Sequence, residues 1–463
     1  MKNRIIIIMC AGCLLSGCNV YRSYKRPDVM TQGIYRDTVS GKDTLPTDTL
    51  SLGNLPWREM FRDPRLQALI QAGLDRNVDL QAARSQVEQA QAMLLSARLA
   101  YTPSLALAPQ GTISSFDKGK ATKTYELPAV ASWEVDVFGR LLNAKRKAKV
   151  DVLQSEAYRQ AVQTQLIAGI ANTYYTLLML DRQLAISEQT ERNWAESVET
   201  MKALKEVGMT NEAAIVQSEA NYYAVRTTVL DLRRQVRETE NAMSLLLMQA
   251  PGPIERGRLE DQQLPSTLAV GIPLQLLSNR PDVKAAEMAL ASTFYTTNAA
   301  RAAFYPQITI NGSVGWTNTA GSYIVNPGKM IAAAVGALTA PIFNKGVNTA
   351  RLRVAKAQQE QALLDFQQSI LNAGAEVSDA LYQYQTAGDK IVERTAQIRA
   401  LENSVEYTQE LMRLGTSTYL EVLTAQQGLL NAQLSRVSDD FSRLQAVVNL
   451  YRALGGGRED DNL

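Results

Sequence analysis

The hydrophobic positions of this chain follow two periods, and the change from one to the other marks out its elements. From Leu66 to Thr102 the sequence is rich in Ala, Gln, Leu and Arg, contains no proline and only Gly73, and reads as helix. It ends where Pro103 forces its predecessor into an extended conformation. The period then shortens to two. Tyr125, Leu127, Ala129, Ala131, Trp133, Val135 and Val137 alternate with Glu126, Ser132, Glu134 and Asp136; Ile308, Ile310, Gly312, Val314 and Trp316 alternate with Thr309, Asn311, Ser313 and Gly315. Four strands are predicted, at about 104–115, 125–138, 307–318 and 330–343, close to the ~9 to 11 residues a tilted strand needs to cross a membrane. A soluble sandwich edge would alternate in the same way. No other strand pattern supplies a facing sheet, however, and an isolated hairpin is marginal in water.

The segments that follow the strands return to helical composition and are very long. Arg140–Val207 and Lys345–Leu414 contain no proline, so each can form a helix of about 100 Å at ~1.5 Å per residue. Each ends in a glycine break, Val207-Gly208-Met209-Thr210 and Leu414-Gly415-Thr416-Ser417, of the kind that lets a helix reverse. Return helices are predicted from about Asn211 to Ala250 and from about Thr418 to Leu454. The whole plan occurs twice. Asp79–Pro103 aligns with Asp282–Pro306 without a gap at a shift of 203 residues, Phe138 matches Phe343, and Gly208 matches Gly415. The predicted organisation is a segment 1–17, an N-terminal segment 18–65, a first repeat 66–250, a linker 251–280, a second repeat 281–454 and a tail 455–463. The fold class is mainly α with a membrane β-barrel, a duplicated helix-strand-strand-helix-helix unit.

Composition removes most chemistry. Of 463 residues, 48 are Lys or Arg and 46 are Asp or Glu, a net charge of +2 that offers no large field for nucleic acid. With no histidine, the usual general base and metal ligand are missing, and no phosphate-binding glycine loop occurs. No catalytic residue, no metal site and no diffusible cofactor are expected. The three cysteines are Cys10, Cys13 and Cys18. Lys2 and Arg4 precede an apolar run, Ile5–Leu15, which fits a signal-peptide core and is too short to span a bilayer as a helix. It ends Leu15-Ser16-Gly17-Cys18, which looks like a bacterial lipobox, so Cys18 is expected to carry a diacylglycerol and an N-acyl chain.

Four strands cannot close on themselves. Unsatisfied backbone groups in lipid cost several kcal/mol each, so the edges must be paired by other copies. Two copies give eight strands and a filled interior, whereas three give twelve and leave room for water along Glu126, Glu134 and Asp136. At least three copies are therefore implied. Just after the second strand of each half come Arg140, Lys145, Arg146, Lys147 and Lys149, and Lys345, Arg351, Arg353 and Lys356. A solvated helix surface accounts for such a run; so does a basic belt that meets anionic groups at the inner leaflet or the cell wall.

Two motifs carry a family resemblance. Trp57-Arg58-Glu59-Met60-Phe61-Arg62-Asp63-Pro64-Arg65-Leu66, with Leu69-Ile70 and Asn77-Val78-Asp79-Leu80, resembles the opening of TolC-like outer-membrane efflux factors of the NodT lipoprotein branch. So does Ile272-Pro273, Leu276-Leu277 and Arg280-Pro281-Asp282-Val283 with Ala286-Glu287, ending in Ala303-Phe304-Tyr305-Pro306. The resemblance implies a homotrimer with a twelve-strand outer-membrane barrel and a long helical tunnel through the periplasm. It also implies a periplasmic adaptor and an inner-membrane transporter of the resistance-nodulation-division type as partners. The function implied is the exit duct of an efflux pump; a type I protein secretion outlet and a lipid-anchored coiled-coil scaffold are the alternatives.

By the same resemblance, adaptor contacts fall at Gly208, Met209, Thr210, Gly415, Thr416 and Ser417. The periplasmic aperture falls at Leu420, Glu421, Thr424, Gln217 and Glu219, and the barrel lumen at Glu126, Glu134 and Asp136. Thr424 stands where the family pattern has an aspartate. Either Glu421 or Glu219 supplies a negative ring instead, or the seal is mainly apolar; as plain helix-surface charges, both glutamates would simply be solvated.

Overall fold

The computed structural model describes residues 23–28, 52–115, 119–263, 279–318 and 329–458. The leader 1–17, Cys18, the motif residues Ile272, Pro273, Leu276 and Leu277, and the tail from 459 lie outside the described residues. The helices are α1 (Trp57–Met60), α2 (Pro64–Arg76), α3 (Val78–Leu99), α4 (Arg140–Glu206), α5 (Glu212–Leu246), α6 (Pro281–Ala302), α7 (Val347–Arg413) and α8 (Tyr419–Ala453). The strands are β1 (Ser104–Leu107), β2 (Gln110–Ser114), β3 (Thr122–Val135), β4 (Gln307–Asn318) and β5 (Lys329–Thr339). The duplication is exact in length. Helices α3 and α6 have 22 residues each, α4 and α7 have 67 each, and α5 and α8 have 35 each.

Among the boundaries that differ from the sequence expectation, three have a local reason. The helix read from Leu66 to Thr102 is broken at Asn77, which adopts ψ 132° and ends α2. Its side chain works in both directions, accepting from the Leu80 backbone N–H at 3.1 Å and donating to the Leu246 carbonyl at 3.0 Å. An asparagine satisfied in this way competes with the helix for the same backbone groups. The first strand is interrupted at Ala108 and Pro109. One register runs through the gap, with Leu107 opposite Ala129 and Gln110 opposite Glu126, so the missing Pro109 N–H interrupts the ladder and not the path. The fourth strand stops at Thr339, just before Ala340-Pro341.

The chain divides into two compact units. The first unit, drawn from residues 85–156 and 285–368 with the described stretch 23–28, contains the sheet. All its pairs are antiparallel in the order β1-β3-β4-β5, with β2 also on β3. The β3–β4 pair joins the two repeats over eleven positions, from Tyr125 opposite Asn318 to Val135 opposite Ile308. Pro128 faces Gly315 within that ladder, and a Cβ on Gly315 would stand 2.4 Å from the Leu127 carbonyl oxygen, so only glycine fits. In the same unit Arg26 donates to both oxygens of Glu287, at 2.7 and 2.6 Å, and Tyr24 packs edge-on against Phe294. The stretch 23–28 is thus held on α6.

The second unit, drawn from residues 52–84, 157–284 and 369–458, holds a helical core around Phe61, Leu66, Ile70, Tyr174, Leu177 and Tyr451. Its polar groups explain the two sequence motifs. Asp63 accepts from the Arg65 backbone N–H at 2.9 Å, capping α2, and from Tyr174 Oη at 2.6 Å and Gln262 Nε2 at 3.0 Å. Arg280 is buried and reaches Glu376 at 2.9 Å, the Ala453 carbonyl at 3.1 Å and both oxygens of Asp282. A third knot joins Arg256 to Asp181 at 2.5 Å and to Glu240 at 2.6 Å. Such buried cations bind only if every neighbour is satisfied.

Burial disfavours the charged form of Asp63, but hydrogen bonds from Tyr174, Gln262 and backbone N–H groups outweigh it and hold its pKa below the ordinary value. For Asp282, burial is outweighed by Arg280. A folded-state pKa below the unfolded one adds stability above the unfolded carboxylate pKa of about 3.9, and that stability is lost as pH falls through the depressed folded value. Thermal unfolding followed by circular dichroism should therefore shift little from pH 7 to about 5 and fall steeply below about 4, with a shallower fall in Asp63→Asn. Replacing Arg280 by methionine is expected to cost about 2 kcal/mol in denaturant titrations, a low value for a buried cation because both carboxylates keep access to water. Gly315→Ala should cost about 1–3 kcal/mol and make residues 104–135 sensitive to protease.

Candidate functional sites: the sheet and the helix turns

Residues directly opposite one another in an antiparallel sheet share a face, so the register sorts the side chains. Leu105, Leu107, Ile113, Leu127, Ala129, Ala131, Trp133, Ile310, Val314, Trp316 and Leu338 fall on one face. It is uncovered, with Leu105 82% and Leu338 69% exposed. The other face carries Gln110, Thr112, Thr124, Glu126, Ser132, Glu134, Thr309, Asn311, Ser313 and Thr317. Gln110 Nε2 donates to Glu126 at 2.6 Å and Ser132 Oγ to Asn311 at 2.7 Å, across neighbouring strands. Both edges are open among the described residues: β5 pairs only with β4, and β1 and β2 only with β3.

Two of the three expected lumen carboxylates lie on the polar face. Glu126 pairs with Gln110, and Glu134 accepts from Arg140 Nε at 2.7 Å. Asp136 does not lie in that row. It follows the end of β3, and its carboxylate accepts from the Leu142 backbone N–H at 2.7 Å in the first turn of α4, where a negative charge meets the unsatisfied N–H groups of the helix start. Alternation in the sequence runs on past Val135, but the strand does not.

In the second unit the two glycine turns share one geometry. Gly208 has φ 74° and Gly415 φ 73°, left-handed values at which glycine is unstrained. Gly208 N–H bonds the Lys205 carbonyl and Met209 N–H the Leu204 carbonyl; Gly415 N–H bonds Met412 and Thr416 N–H bonds Leu411. This pair of bonds closes a helix end and turns the chain. The starts of the return helices differ. Asn211 caps α5 by accepting from Ala214 N–H at 3.1 Å, whereas at α8 Glu421 accepts from Ser417 Oγ at 2.5 Å and Thr418 Oγ1 at 3.3 Å. These hydroxyls, Ser417 first, hold the Glu421 pKa below the usual carboxylate value.

A cleft of about 790 Å³ lies between the turns and brings together Met209, Thr210, Gln217, Gly415, Ser417 and Leu420. Gly208, Thr416, Glu219, Glu421 and Thr424 do not line it. Leu420 is 63% exposed, and Thr424, one turn further along the same face, back-bonds to the Leu420 carbonyl at 2.8 Å. Glu219 is paired with Lys202 at 3.5 Å. Both candidate acids are thus engaged within their own chain. Sequence reasoning missed Tyr419, whose hydroxyl accepts from Ser218 Oγ at 2.9 Å and ties α8 to α5, because the partners lie 201 residues apart and no pattern links them. It also missed Trp194, Val225, Leu423 and Leu430, the apolar cluster under that contact.

No group of Cys, His, Asp and Glu suited to a metal ion occurs among the described residues. Residues 69–247 and 272–456, nearly all of both repeats, match the outer membrane efflux protein family. CusC of Escherichia coli K12, described as a cation efflux system protein, is 28% identical over 459 residues, covering 98% of this chain and 99% of its own. SilC of Salmonella typhimurium, described as a probable outer membrane lipoprotein, is 28% identical over 448 residues, with 96% of each chain covered. A crystal structure of CusC superposes with a TM-score of 0.83 at 28% identity, over 94% of this chain and 99% of that one. With both repeats matched and the fold shared with a solved channel, the chain belongs to the outer membrane efflux protein family.

Proposed function

We propose that three copies of this chain form the exit duct of a tripartite efflux pump, a passive outlet that carries small toxic compounds or drugs across the outer membrane. The observation that carries this reading is the sheet of four strand paths, β1 and β2 sharing one of them, with an uncovered apolar face, a polar face and two open edges. Lipid suits the apolar face, water suits the polar face, and only further copies satisfy the edges. Eight strands fill their own interior, so three copies are the smallest number that leaves a path. The energy for transport comes from an inner-membrane transporter of the proton-driven resistance-nodulation-division type, delivered through a periplasmic adaptor. The chain itself performs no chemistry.

The adaptor seats on the turns Gly208–Thr210 and Gly415–Ser417, whose shared cleft gives a hairpin tip a place to enter. The aperture is narrowed by Leu420 and Thr424, while Glu421 and Glu219 are engaged by Ser417 and Lys202 of their own chain. Cys18 carries the lipid. The eight residues from Cys18 to Arg26 reach at most about 27 Å, and Glu287 lies about 22 Å along α6 from its sheet end. An acyl chain on Cys18 is therefore within reach of the lipid around the sheet.

Full-length protein purified in detergent should run as a trimer and conduct ions in planar bilayers. A monomer without conductance would defeat the proposal. Leu420→Ala with Thr424→Ala should raise single-channel conductance severalfold, whereas Glu421→Gln should leave it unchanged. Met209→Lys with Thr416→Lys should abolish co-purification of the adaptor without changing conductance.

A further inference from the structure

The charges of the first unit are segregated in a way that the near-neutral chain conceals. Between Glu287 and Glu360 there is no acidic residue at all, while Arg301, Lys329, Lys345, Arg351, Arg353 and Lys356 all fall there. A stretch of one sign, with no acid interspersed, favours a charged partner over plain solvation. In the first repeat the acids that flank the basic run in sequence are already engaged. Glu134 holds Arg140, Asp136 caps α4, and Asp151 holds Lys147 at 2.6 Å and Ser292 at 2.6 Å. Lys145, Lys149, Lys345, Arg351, Arg353 and Lys356 are exposed and form no ion pair among the described residues.

Their depth relative to the sheet follows from the register. β3 ends at Val135 opposite Ile308, and β5 ends at Thr339 opposite Gln307, so α4 and α7 both begin at one end of the sheet. Lys149 and Lys356 are each nine residues past a helix start, so the cations on the two helices lie within about 14 Å of those starts, with long side chains that can reach back toward the sheet. The same end is ringed by aromatic and apolar groups. Trp133 Nε1 donates to the Tyr101 carbonyl at 3.0 Å, Phe138 stacks on Tyr305 at 5.1 Å, and Ile342 and Phe343, just before Lys345, are 99% and 84% exposed. Aromatic side chains at one level with cations directly beyond them are the pattern of a membrane–water boundary. Trp316 marks the other level. It is opposite Leu127, six residues from Trp133 along β3, so the two tryptophans are about 20 Å apart, which is close to the ~25 Å apolar band of outer-membrane barrels.

We propose that these six cations form a headgroup-binding belt that selects anionic phospholipids of the inner leaflet, with phosphatidylglycerol as the model ligand, and so sets the depth of the sheet. The exposed Ile342 and Phe343 beside Lys345 favour lipid over cell-wall carboxylates, because a hydrated polymer offers them nothing to enter. The proposal rests on the placement of the sheet in the outer membrane, and the test separates the two. Trp316→Phe protein is reconstituted at fixed mole fraction of brominated phosphatidylglycerol or brominated phosphatidylcholine, and quenching of Trp133 is compared. The anionic lipid should be preferred about fivefold at 50 mM salt, and less at 500 mM, since headgroup attraction near a surface is screened by salt. Changing all six cations to glutamine should bring the ratio to one, while changing the two arginines to lysine should keep it. Equal quenching by both lipids in the unmodified belt overturns the proposal and leaves the sheet in the membrane. Quenching by neither overturns both. A glutamine variant that keeps the lipid ratio but loses binding to isolated cell-wall sacculi assigns the belt to the wall instead. The salt series on the unmodified belt decides the matter even if the glutamine variant fails to fold.

Discussion

The structure depends on one constraint: a backbone amide cannot be left unpaired in hydrocarbon. Each chain builds four strand paths with an apolar face outward, and neither edge strand has an outer partner among the described residues. In water such an edge is an aggregation hazard; in lipid it costs several kcal/mol per group. Pairing between copies removes the edge, and a closed ring of sheet necessarily encloses its polar face. The channel is thus a consequence of satisfying hydrogen bonds. The Pro128–Gly315 pair shows how closely the ladder is tuned, because the step without an N–H sits opposite the residue without a side chain.

Duplication gives the helical part its economy. Paired elements of equal length leave the glycine turns with matching bonds at Gly208 and Gly415, so two quasi-equivalent tips arise from one plan. Their differences are local. One return helix is capped by Asn211 and the other by Glu421 with its hydroxyl partners. A carboxylate bound at a helix N-terminus is stabilised by the N–H groups there and is a poor candidate for a free charged ring.

The motif residues that carry the family resemblance are tied into the packing of the chain. Asp63, Arg280 and Glu287 each tie segments distant in sequence, to Tyr174 and Gln262, to Glu376 and Ala453, and to Arg26. A buried ion left without its partner is costly, so such groups come as sets.

Periodicity alone determined the order of elements, the duplication, the glycine turns and the two-faced strands, because each of these is a property of residues close together in the chain. The break at Asn77 escaped it, since what stops the helix there is a bond to Leu246, and so did the end of β3, where the alternation that includes Asp136 continues but the pairing does not. Only the tertiary structure decided which carboxylates remain available. Glu219, Glu421 and Asp136 look alike in sequence, yet one meets Lys202, one meets Ser417 and one meets the start of α4. Charge availability depends on the nearest opposite partner within a few ångströms, and such partners are found by folding.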